Sequence, residues 1–87
     1  RQSRVARILI VDGEESFARS AASTLHLQGH EVVSCRSLEE AVRACISSPP
    51  QLVLADLRID GGGAFDLLER LRTARIGCGV VVTTIAG

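Results

Sequence analysis

The chain has 87 residues, 46% of them apolar, enough for one domain or part of one and too few for a multidomain enzyme. Ten Arg and no Lys balance four Asp and six Glu, so no basic stripe exists to favour nucleic acid or an anionic membrane. No apolar run approaches the roughly 20 residues that span a bilayer, the Arg-containing start lacks a signal-peptide core, and the default compartment is the cytosol.

In chain order, "RILIV" (7–11) is a short β-branched run ending at Asp12 and reads as a strand buried on both faces. From Ser16 to Leu27, Phe17, Ala21 and Leu25 recur at a spacing of four beside Ala18 and Ala22, which predicts a helix ended by Gly29. "EVVSC" (31–35) is a second strand. Ser37 and Glu40 make a capping box for a second helix, whose stripe is Leu38, Ala41, Val42, Cys45 and Ile46 and which Pro49 and Pro50 stop. "LVLAD" (52–56) is the third strand, and the glycines 61–63 lead to a helix with Ala64, Leu67, Leu68 and Leu71 on one face. "GVVVTT" (79–84) is the fourth strand. The alternation predicts an α/β fold, a parallel sheet covered by helices on both faces, with right-handed crossovers.

In such a sheet, ligands gather outside the carboxyl ends of the strands. Asp12 follows the first strand, Asp56 closes the third and Thr84 closes the fourth, so all three fall on one edge. A lone Asp after a strand is most often a turn residue; two carboxylates and a hydroxyl at three strand ends are a constellation. Paired carboxylates suit a hard cation such as Mg²⁺, a hydroxyl can donate to a phosphoryl oxygen, and a strand-end Asp can act as nucleophile.

"RILIVDGEES", "LVLADLRIDGGGAFDLLERLR" and "VVVTT" resemble, in order and spacing, the CheY-like receiver domain of bacterial two-component response regulators. The resemblance implies a doubly wound, flavodoxin-like sheet of strand order 2-1-3-4, with residues 1–87 an incomplete receiver from which the fifth βα unit is absent. It implies Asp56 as phosphoacceptor, Thr84 as switch hydroxyl, and Mg²⁺ held by Asp12, Asp56 and the Arg58 carbonyl, with Glu14 a candidate further ligand. Implied partners are a histidine kinase or phosphotransfer protein and an output domain downstream of residue 87.

The chain departs from the family's pattern in places. Gly13 stands where a second acidic residue usually contacts the metal, which predicts weakened Mg²⁺ binding unless Glu14 or Glu15 compensates. Asp60 replaces a common Pro, Gly63-Ala64 replaces Asp-Gly, and Ile85 beside the switch hydroxyl narrows access to Asp56. The conserved Lys after a fifth strand has no counterpart, since the chain contains no Lys.

Two other function classes compete with the phosphoryl-accepting switch. One is a pseudo-receiver that binds partners without control by phosphate, favoured by Gly13. The other is a phosphatase-like enzyme, disfavoured by a chain too short to enclose a substrate. His26 and His30 flank Gly29 as helix-end or solvent residues, and the glycine triplet lacks Walker or GxGxxG spacing and reads as a flexible loop. Arg70, Arg72 and Arg75 read as a solvated helix face, and Cys35, Cys45 and Cys78 as packed or surface thiols without metal spacing.

Overall fold

The computed structural model describes residues 5–59 and 61–83, apart from the side chain of Glu15. Seven elements alternate: β1 (Arg7–Val11), α1 (Glu15–Leu27), β2 (Glu31–Cys35), α2 (Leu38–Ser47), β3 (Leu52–Asp56), α3 (Ala64–Thr73) and β4 (Gly79–Thr83). The strands form one parallel sheet in the order β2-β1-β3-β4, as expected. The order reverses beside β1, which pairs with β2 on one side and β3 on the other.

Strand alternation sorts the core into two unequal parts. Leu9, Val11, Val53 and Ala55 point to one face and pack with Leu38, Ala41, Val42 and Cys45 of α2 and with Ala64, Leu67 and Leu71 of α3. Ile8 and Ile10 point to the other, where α1 covers them with Ala18, flanked by half-buried Ala21, Ala22 and Leu25. The helices show where a spacing rule reaches its limit. Phe17 is 38% exposed and Ile46 60% exposed, because they lie about 100° round the helix from Ala18 and about 80° from Leu38 respectively. Each sits at the margin of its stripe. Leu68, also placed on a core face by spacing, is 38% exposed.

The helix ends follow local chemistry. α1 begins at Glu15, one residue earlier than its apolar period. It closes in a Schellman motif: the His30 N–H donates to the Leu25 carbonyl and the Gly29 N–H to that of His26, with Gly29 at φ 92°. α2 is capped by Ser37, whose Oγ accepts the Glu40 N–H at 3.2 Å, while the Glu40 carboxylate accepts from Arg36, one residue outside the expected box. α3 closes in the same Schellman pattern, Ile76 to Leu71 and Arg75 to Arg72, but with Arg75 in the left-handed position at φ 59°.

One expectation about arginines is extended and one corrected. Arg70 is exposed on α3 as expected, and its guanidinium also donates to both carboxylate oxygens of Glu39, at 3.0 and 3.5 Å, tying α3 to α2. Arg75 lies beyond the helix rather than on its face. His30 also has a definite role, its Nδ1 accepting the Ala6 N–H at 3.1 Å. The cysteines are free thiols packed in or against the larger core, and burial pushes Cys35 up to about 12 and Cys45 up to about 11.

Candidate functional site

The carboxyl edge of the sheet brings Asp12 and Asp56 together from the ends of the two central strands. The Asp12 N–H extends the β1–β2 ladder by donating to the Cys35 carbonyl at 3.1 Å, which fixes the backbone one residue past β1. Asp12 is only 3% exposed, the one buried charged residue among those described. Its Oδ1 accepts the Glu14 N–H at 2.8 Å, in a turn that starts α1. Burial raises the pKa of this carboxyl, the Glu14 N–H opposes that shift, and the negative charges of Asp56 and Glu14 add to the rise. Asp12 therefore feels Asp56 directly.

Asp56 is the last residue of β3, paired in register with Thr83 of β4. The ladder runs on past it, since the Leu57 N–H donates to the Thr83 carbonyl at 3.1 Å. Its side chain is half-buried, so the carboxylate is held and still reachable. Oδ1 accepts a long 3.4 Å bond from the Arg58 N–H. Arg58 follows on the exposed loop.

The other expected participants are placed less closely. Glu14 is exposed, its Oε1 accepting the Ser16 hydroxyl at 3.1 Å. Gly13 faces open space, with nothing within 4 Å of where a β-carbon would stand. Thr84 and Ile85, like Asp60 and the Glu15 side chain, lie outside the described residues. Among the described residues, no group of three or more His, Cys, Asp or Glu gathers in metal-binding array. Two mutually repelling carboxylates remain, and a hard divalent cation is the kind of group that such oxygen donors fit.

The glycine-rich loop is more ordered than its composition suggests. Ile59 and Gly62 exchange both backbone hydrogen bonds, at 2.7 and 3.0 Å, and Gly61 takes φ 89° between them. A β-carbon at Gly63 would fall onto the Leu57 carbonyl oxygen, so only glycine fits there. Asp66 accepts the Gly63 N–H at 2.9 Å. Sequence reasoning missed Asp66; an acidic residue three positions into a helix whose cap is glycine was the available signal.

Residues 8–87 match the family described as the response regulator receiver domain. The chain belongs to this family. This receiver domain is 31% identical over 77 residues to the photosynthetic apparatus regulatory protein RegA of Cereibacter sphaeroides, covering 88% of the chain and 42% of RegA. It is 30% identical over 77 residues to the acid tolerance regulatory protein ActR of Rhizobium meliloti, covering 88% and 40%. The chain thus spans about two fifths of the length of these curated relatives. Among solved structures, the signal receiver domain of a LuxO repressor protein from Vibrio parahaemolyticus superposes with a TM-score of 0.87 at 21% identity, over 97% of this chain and 65% of that one. The MaeR response regulator bound to beryllium trifluoride superposes with a TM-score of 0.83 at 27% identity, over 95% and 70%. Membership carries the coarse function, a signalling module of the two-component type.

Proposed function

We propose that this receiver domain is a phosphoryl-accepting switch in which Asp56 takes a phosphoryl group from a histidine kinase or phosphotransfer protein and passes the change to an output domain beyond residue 87. The observation that carries the reading is the pairing of a buried Asp12 with a reachable Asp56 whose charge raises it. Like charges are held together only at a cost, and such clusters mark functional sites. In the step, an Asp56 oxygen forms a bond to phosphorus as the donor's P–N bond breaks, and the departing imidazole keeps the electron pair and takes up a proton. Asp12, Asp56 and the Arg58 carbonyl would hold Mg²⁺, which offsets the charge of the carboxylates and the phosphoryl oxygens. Thr84 would donate its hydroxyl to a phosphoryl oxygen. The relative MaeR, described bound to beryllium trifluoride, supports the reading by analogy, since that anion resembles a phosphoryl group in shape and charge.

The test is mass spectrometry of the intact protein after incubation with Mg²⁺ and a small acyl phosphate. One addition of about 80 Da is expected, absent in Asp56→Asn, whose fold is kept. Labelling that persists in the variant overturns the assignment. The open space at Gly13 and the engagement of Glu14 by Ser16 favour a second reading, a pseudo-receiver that binds partners without phosphate. A wild type that takes up no phosphoryl group at millimolar Mg²⁺ would select it.

A further inference from the structure

We propose that Asp66 is a positioning residue for Asp56, acting through the backbone of the β3–α3 loop; the inference rests on the reading of Asp56 as phosphoacceptor. The chain of contacts is short. Asp66 Oδ2 accepts the Gly63 N–H at 2.9 Å. Gly63 in turn lies so close under the Leu57 carbonyl that a β-carbon would overlap it. That carbonyl belongs to the same peptide unit as the Arg58 N–H, which donates to Asp56 Oδ1 at 3.4 Å. A peptide unit is planar, so its two ends cannot turn independently. Holding Gly63 therefore orients the N–H that holds Asp56.

Among the described residues the backbone tie at this end is the Leu67 N–H bond to the Gly63 carbonyl. Gly63 has no side chain with which to cap α3, so the carboxylate of Asp66 is the side-chain tie at the helix start, favoured there by the helix dipole. The same carboxylate also limits Gly62: a β-carbon there would stand 2.8 Å from Asp66 Oδ2 and 3.0 Å from Leu38 Cδ2. Asp66 and Leu38 wedge the loop from two helices. The bridge between Ile59 and Gly62 closes the turn internally but does not fix it to α3. The Gly63 N–H bond to Asp66, together with the Leu67 N–H bond to the Gly63 carbonyl at 3.0 Å, does that.

The test uses the intact protein with three variants: Asp66→Ala, which removes the acceptor; Asp66→Asn, which keeps a neutral one; and Glu40→Ala. Glu40 occupies the same position in α2, accepts the Arg36 N–H at 2.9 Å and is bonded within its own helix start rather than to the loop, so its loss controls for a weakened helix start. Two quantities are measured: the amide exchange rates of Arg58 and Ile59, and the rate of phosphoryl uptake from a small acyl phosphate with Mg²⁺. Asp66→Ala is expected to speed the exchange and slow the uptake, each by about 5-fold, the usual scale for a lost cap. Asp66→Asn should restore most of both, and Glu40→Ala should lower the melting temperature while moving neither. Unchanged exchange at Arg58 in Asp66→Ala, or an equal change in Glu40→Ala, overturns the inference. A wild type that takes up no phosphoryl group removes the reading of Asp56, whereas the exchange rates still decide whether Asp66 positions it.

Discussion

Gly13→Asp tests how far the acidic pair falls short of a strong cation site. The backbone admits the change: Gly13 does not adopt a left-handed φ, and a β-carbon there meets nothing within 4 Å. The new carboxylate would stand next to Asp12, which already carries the repulsion of Asp56 and Glu14. Without metal, a further negative charge at this edge lowers stability. With Mg²⁺ it adds a charged ligand, on the order of 1.5–3 kcal/mol by the scale of hydrogen bonds to charged groups, or roughly 10- to 150-fold in affinity. The two effects have opposite signs, which makes the prediction specific. The chain has no Trp or Tyr, so calorimetric titration of the intact protein is the assay rather than intrinsic fluorescence. At a Mg²⁺ concentration about 100 times its Kd, binding should stabilise the variant by about 2.7 kcal/mol, a clear rise in melting temperature. Equal Mg²⁺ affinities in the two proteins would refute the idea that Gly13 is the missing ligand position.

Arg75→Gly should stabilise the domain. It relieves a left-handed residue costing about 1–2 kcal/mol and gives back part through glycine's freedom when unfolded, for a net gain of about 0.5–1 kcal/mol; a lower melting temperature would contradict the strain argument. Asp12→Asn should also stabilise the fold at pH 7, by on the order of 0.5–2 kcal/mol, while impairing phosphoryl uptake. The sign follows from the raised pKa: folded Asp12 holds its proton more tightly than unfolded Asp12, so its cost is absent below the ordinary value of 3.8 and grows as pH rises through the folded value. Urea melts should show the Asn advantage at pH 7 and lose it below about pH 3.8, and an advantage that grows on acidification would count against it.

The strands were legible because a strand buried on both faces must be a continuous apolar run, and "RILIV" and "LVLAD" can be little else. The strand order came from the resemblance to CheY-like receivers, and the placing of Asp12 and Asp56 on one edge from their positions at the carboxyl ends of parallel strands. Contacts between residues distant in sequence did not follow. Arg70 faces Glu39 across 31 residues, and no feature of either helix alone announces that pair. The glycine triplet was read as a flexible loop because composition reports conformational freedom, whereas the need for glycine at position 63 comes from a carbonyl six residues earlier. Arg75 defeats a simple rule too, since a left-handed helix end usually signals itself by glycine.

The central place of β1 bears on how the domain assembles. Its pairing with β2 closes a loop of 24 residues from Arg7 to Glu31, and its pairing with β3 closes one of 44 residues from Ile8 to Leu52. The longer closure costs about 0.5 kcal/mol more in chain entropy, so the β1-α1-β2 unit has the entropic head start. Asp12 and Asp56 come together only at the second closure. A partly folded chain, with β1 and β2 joined and β3 still loose, holds Asp12 without its counterpart, so the acidic pair exists only once both central strands have docked and the sheet has taken its final order.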